Sequence, residues 1–341
     1  MIKKFFKEHS IHKTLVKKLD WIFAYNLPKF LITASVFSWG IASAYFQVNQ
    51  SSINYFSTNF DLSNIVIFLG LFLLMGGLNI QIELNKLKYA YDSTTLDYVK
   101  DNNNLDYPIL TSHILDEDKM KKLSFLSIFL GVFIIGISSI NIVPTILLYS
   151  YLNLFYYKNV IKNKNFLQNI IFLICTNFLL FLSGWIYNTF SFGLILEYIP
   201  IYILAALPII LSYEFIFFKE FINGDEKTIS ELNLNGKTIY FCSILMLLSV
   251  FYITYNLMID PVISHFALII LPFYIFAFFR GLPKDFVRSF IYPIMVMNIL
   301  LSWTLFPYLF VFILIVYFFS KYYYWHRFDM HFPKFVIEEN N

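Results

Sequence analysis

The sequence predicts an all-α, polytopic transmembrane helical bundle of nine to ten spans, and three observations lead there. Of its 341 residues, 58% are hydrophobic, 21% aromatic and only 14% charged, far more apolar surface than a soluble domain of this length buries. Apolar stretches of about 20 residues recur from end to end, each long enough to cross a bilayer as a helix with its backbone bonded internally. Lys and Arg collect in alternate connections, the pattern of the positive-inside rule. The net charge of +3 is too small to favour nucleic acid, and no nucleic-acid partner is expected.

Taken in order, residues 1–27 form a basic segment (Lys3, Lys4, Lys7, Lys13, Lys17, Lys18) without a small-residue cleavage site. They are expected to lie on the cytoplasmic membrane surface as an amphipathic helix, not to be removed as a signal peptide. Spans follow at about 28–48, 64–88, 123–141, 142–158, 166–186, 192–219, 237–257, 262–280 and 289–320. The last is too long for one straight helix, and Trp303 to Pro307 is where it would break. Basic residues are dense at the N-terminus, at 84–122, 158–164, 219–237 and 280–288, whereas 49–63, 186–191 and 258–261 contain none. This places the N-terminus in the cytoplasm. Lys321, His326, Arg327 and Lys334 vote for the same side, which favours ten crossings with 289–320 as a hairpin; nine is the alternative. With no linker inside 28–320, that stretch reads as one transmembrane domain, with 321–341 as a C-terminal interfacial tail whose aromatic and basic residues suit the lipid–water border. The two halves share a pattern of long helix and polar acidic loop, suggesting a pseudo-repeat. Cys175 and Cys242 fall in apolar runs and are expected to be buried packing residues, and His265 a core residue. Asn79, Gln81 and Glu83 would line a cavity or mark the lipid–water border.

Two polar stretches carry the chemistry. In the first, Asp97 and Asp101 are four residues apart, hence on one face of a helix. Their mutual repulsion falls if a cation sits between them, and Mg²⁺, which takes a few carboxylates and completes its shell with phosphate oxygens and water, suits such a pair. Two solvated loop acids beside Lys100 are the plainer alternative. In the second, Glu214 stands within a long apolar run, six residues before Glu220 and eleven before Asp225. An ionisable group in such a run points to a functional site unless it reaches interfacial water or pairs with a lysine such as Lys219. Gly224 permits the turn that ends the helix. The charge pattern puts both stretches on the cytoplasmic side.

Together the two stretches resemble the motifs of the UbiA superfamily of intramembrane prenyltransferases. The first family motif is N-D-x-x-D-x-x-x-D, followed by R-P-L-x-S-G-x-I. This chain has STTLDYVKD from Ser93 to Asp101, then DYPILTSHI from Asp106 to Ile114. Asp97 and Asp101 match the second and third aspartates, and Pro108, Leu110, Ser112 and Ile114 follow the later pattern. Ser93 and Thr94 replace the leading Asn-Asp, Tyr107 the Arg and His113 the Gly; Asn79 and Glu83 offer a rival start. The second motif is R-E-I-x-K-D-x-x-D-x-x-G-D. Glu214 and Gly224-Asp225 match without a gap, while Phe218 and Phe221 occupy the two middle aspartate positions. FYYKNVIKNKNFLQN, Phe155 to Asn169, resembles the family's lysine-rich loop. The resemblance covers roughly residues 25 to 300.

The resemblance implies a transferase that moves an isoprenyl group from a prenyl diphosphate to an aromatic or other hydrophobic acceptor in the bilayer, among membrane lipids, with Mg²⁺ as cofactor. Mapped onto this chain it makes Asp97, Asp101 and Asp225 catalytic metal ligands, with Glu220 and Glu214 as further ligands, and Lys158, Lys162 and Lys164 diphosphate contacts. It also implies a role in isoprenoid biosynthesis, with the site on the cytoplasmic face of a bacterial inner membrane. Two other readings stay open: a UbiA-like accessory subunit without catalysis, since two aspartates are replaced, and a lipid or solute transporter.

Overall fold

The protein is represented by a computed structural model, which describes residues 10–48, 62–91, 117–156, 166–188, 199–212, 236–257, 261–304 and 307–328. Those residues are helical apart from short turns, and no strand occurs among them. In chain order the helices are α1 (Ser10–Phe23), α2 (Leu27–Val48), α3 (Leu62–Tyr91), α4 (Glu117–Ser138), α5 (Val143–Tyr151), α6 (Phe166–Asn188), α7 (Ile199–Ser212), α8 (Gly236–Leu257), α9 (Pro261–Arg280), α10 (Pro283–Thr304) and α11 (Pro307–Phe328). Among the described residues five segments are long and apolar enough to cross a membrane: Asn64–Ile82, Glu117–Ser138, Ile170–Tyr187, Gly236–Asn256 and Ile263–Arg280. The chain is an integral membrane protein with an all-helical fold.

The stretch 289–320 breaks where the sequence suggests. α10 ends at Thr304 and α11 starts at Pro307, where the missing N–H of proline costs nothing because a first-turn donor has no intrahelical partner anyway. Three expectations need correction. Cys175 is exposed and Cys242 half-buried, so neither thiol packs in a core; both sit on helices whose outward faces are apolar. His265 is exposed on α9 and is no core residue. The expected span at 142–158 is a composite of a 3-10 turn (Ile140–Ile142), α5 and a π turn (Leu152–Tyr156).

The chain divides into two compact units. The first comprises residues 1–34, 59–163 and 310–341. Here α1 buries Val16, Leu19, Asp20 and Phe23 at helical spacing while Lys17 and Lys18 stay exposed. Its apolar face meets α11: Phe23 stacks on Tyr323 at 3.8 Å between ring centroids, and Tyr324 meets it edge-on. The Tyr323 hydroxyl donates to Asp20 Oδ1 at 2.7 Å, giving a buried carboxylate a partner. The N-terminal segment and the start of the C-terminal tail are thus packed on each other. Asn26, at φ 55°, turns the chain from α1 into α2 in a left-handed conformation that asparagine tolerates. α3 and α4 run antiparallel along a seam of small residues. A Cβ on Gly131 would overlap the Leu74 backbone, and the Ser124 hydroxyl donates to the Gly77 carbonyl at 2.8 Å. The opposite face of α4 presents Phe125, Phe129, Phe133 and Ile137, all exposed, as a lipid-facing helix does.

The second unit comprises residues 35–58 and 164–309. α2 and α6 approach until backbone touches backbone: a Cβ on Gly40 would overlap the Phe181 carbonyl, and one on Gly184 the Phe37 carbonyl. Around that contact lie buried rings. Phe181 stacks on Tyr202 at 4.1 Å, and Trp39 meets Tyr202 and Phe266 edge-on at 5.1 and 5.6 Å. α8, α9 and α10 pack in sequence, with Tyr240 of α8 stacked on Phe286 of α10 at 5.2 Å.

Candidate functional site

The first acidic stretch lies between α3 and α4. Pairing of Gly77 with Ser124, and of Ile80 and Leu84 with Met120, shows that the end of α3 and the start of α4 share one end of this antiparallel pair. Asp97, Asp101, Pro108, Leu110, Ser112 and Ile114 belong to the segment that joins them and lie outside the described residues. Lys158, Lys162 and Lys164, between the π turn and α6, also lie outside them, as do Glu214, Glu220 and Asp225, between α7 and α8. The structure therefore assigns helices to both sides of each motif without describing the motif side chains. Among the described residues no group of three or more His, Cys, Asp or Glu side chains stands together as a metal site.

The residues next to the first motif are informative. Asn79 is buried on α3, and its Nδ2 donates to the Tyr25 carbonyl at 3.5 Å, a long bond that ties α3 to the α1–α2 turn. The Tyr25 hydroxyl in turn pairs with Ser127 of α4, and its ring lies where a Cβ on Gly76 would be. Asn79 thus serves packing, and α3 continues about three turns beyond it to Tyr91. The neighbouring Gln81 is half-buried, and its Nε2 has no hydrogen-bond partner.

At the root of the second motif is a hydroxyl cluster that the sequence did not single out. Ser212 ends α7, Tyr240 lies on the first turns of α8, Tyr274 near the end of α9 and Ser289 near the start of α10, and all four are fully buried. Ser289 Oγ donates to the Phe286 carbonyl at 2.7 Å and approaches the Tyr240 hydroxyl at 3.2 Å. Ser212 Oγ and Tyr274 Oη lie near each other, yet neither makes a bond of good geometry. The cluster holds together the helix ends from which the stretch with Glu214 and Asp225 departs and to which it returns. Only the position of two tyrosines near helix ends could have signalled it, and tyrosine is common there in any membrane helix.

No sequence-family profile matches the chain, and no curated protein matches it. A solved structure of digeranylgeranylglyceryl phosphate synthase, a membrane prenyltransferase of the UbiA superfamily, is similar to it with a TM-score of 0.53 and 16% sequence identity. The match covers 86% of this chain and 97% of that one. At that identity the likeness is one of fold: this chain shares the transmembrane helical-bundle fold of that structure.

Proposed function

We propose that the protein is an integral-membrane transferase moving an isoprenyl group from a prenyl diphosphate to a hydrophobic acceptor, aromatic or lipid, dissolved in the bilayer. The observation that carries the reading is the coincidence of two independent likenesses. The acidic motifs occur in the UbiA order, and the helices around them share the fold of a prenyltransferase over 86% of the chain. In this reading Asp97, Asp101 and Asp225 hold Mg²⁺, with Glu220 and Glu214 supplementing a second motif in which Phe218 and Phe221 stand where carboxylates are expected. Hard carboxylate oxygens are the donors that Mg²⁺ takes, and the ion when bound would supply charge neutralisation of the departing diphosphate. Lys158, Lys162 and Lys164 bind phosphate oxygens. The helices exclude water from the allylic cation, and aromatic faces such as those abundant here stabilise it. The motif side of the bundle is cytoplasmic, by the placement of Lys and Arg, and the membrane is a bacterial inner membrane.

The test is release of diphosphate by the purified protein in lipid, with Mg²⁺, a prenyl diphosphate and a pool of hydrophobic acceptors. Release together with a prenylated product is expected, and Asp97→Ala and Asp225→Ala should each reduce it. The replacement of two aspartates by Phe218 and Phe221 favours one second reading, a non-catalytic accessory subunit that keeps the fold. That reading predicts no release with any acceptor in the pool. Solute flux across vesicles without release would instead mark a transporter.

A further inference from the structure

The turn between α9 and α10 carries a charge arrangement that packing alone leaves unbalanced. Arg280 ends α9, and Gly281, at φ 61° with open space where a Cβ would point, lets the chain reverse. α10 then begins at Pro283, and the Asp285 N–H closes onto the Leu282 carbonyl at 2.8 Å. This buries the Asp285 carboxylate to 2% exposure, between two arginines that remain 45% and 44% exposed. Arg288 donates from one terminal nitrogen to Oδ1 at 3.3 Å. Arg280 Nε stands 3.3 Å from Oδ2, but Oδ2 accepts no hydrogen bond, so the contact is Coulombic and costs Arg280 no donor. Two guanidinium charges against one carboxylate leave one net positive charge. With one hydrogen bond made to the carboxylate and both side chains nearly half exposed, most of their ten N–H donors are left for another acceptor. Each guanidinium stands 3.3 Å from one oxygen of the same buried acid.

The surroundings say which anion reaches them. Phe279 is 76% exposed, Phe276 50% and Leu282 38%, and Arg280 closes the apolar segment Ile263–Arg280. In an integral membrane protein, exposed rings of that kind face acyl chains. The guanidinium pair therefore stands where chain gives way to headgroup. We propose that Arg280 and Arg288, held by Asp285, form a binding site for the phosphate of an anionic phospholipid, with Phe276, Phe279 and Leu282 receiving its acyl chains.

The test is native mass spectrometry of the full chain in detergent with phosphatidylglycerol or phosphatidylcholine of matched acyl chains. Wild-type protein should retain phosphatidylglycerol in preference to phosphatidylcholine. Arg288→Gln cancels the net charge and should weaken phosphatidylglycerol binding about fivefold, with binding of a prenyl diphosphate unchanged. Equal retention of both lipids, or an Arg288→Gln protein that binds phosphatidylglycerol as wild type does, overturns the proposal. Displacement of the lipid by millimolar inorganic phosphate would assign the forks to a free anion and also overturn it. Loss of prenyl diphosphate binding in Arg288→Gln would place the arginine in the reaction site and have the same consequence. Should Arg288→Gln not fold, Arg288→Lys decides the matter: lysine keeps the charge, so the preference must persist, and its disappearance contradicts the proposal.

Discussion

At the residue scale, this fold depends on side chains that are absent as much as on those present. Gly40 and Gly136 make the contrast. A methyl on Gly40 meets the Phe181 carbonyl, a backbone group that cannot step aside, whereas one on Gly136 would meet Val143 at an ordinary 3.6 Å. Gly40→Ala should cost about 1–3 kcal/mol through forced separation of α2 and α6. Gly136→Ala should be neutral or gain up to about 1 kcal/mol of helix propensity. Thermal unfolding in detergent reads the difference, and equal melting temperatures would contradict the packing. Tyr323→Phe removes a donor from the buried Asp20 carboxylate and should cost about 1.5–3 kcal/mol; an unchanged melting temperature would show that carboxylate to be solvated. Neither pairing was legible in the sequence. Gly40 reads as one small residue in an apolar run, and Asp20 and Tyr323 are separated by nearly the whole chain. Cys175 and Cys242 show the same limit, since an apolar run does not say whether a side chain faces helix or lipid.

At the scale of elements, hydropathy located the helices well. The ends of α2, α6, α8 and α9 fall within two residues of those expected, because long apolar runs bounded by polar residues leave little choice. The break at Pro307 was legible for a local reason, since proline starts helices and does not continue them. The composite segment from Ile140 to Tyr156 was not, because turns of 3-10 and π type are chosen by packing. The separation of α10 from α11 makes a topological prediction. If the two form a hairpin, as the basic residues at both outer ends suggest, single cysteines at Lys284 and Lys321 in a background lacking Cys175 and Cys242 should react with a membrane-impermeant maleimide from the same side. Labelling from opposite sides would remove one crossing and favour nine spans.

At the scale of the whole molecule, the chain forms two compact units, each assembled from stretches far apart in sequence. That division follows contacts far apart in sequence, such as α1 on α11 and α2 on α6, which no local pattern encodes. The transmembrane helical-bundle fold was legible in the order of long apolar runs, and the 16% identity of the matching structure shows how little sequence that order requires. The proposed site rests on Asp97, Asp101 and Asp225 acting as one, although Asp225 lies more than a hundred residues from the other two. The most direct measurement is the affinity for a prenyl diphosphate, with and without Mg²⁺, in wild type, Asp97→Ala, Asp225→Ala and the double variant. Groups that share one ion must be coupled. Each single variant should therefore lose Mg²⁺-dependent affinity by about tenfold or more, close to 1.4 kcal/mol, with the double variant little worse than either. Losses that simply add, or wild-type affinity that ignores Mg²⁺, would contradict the account.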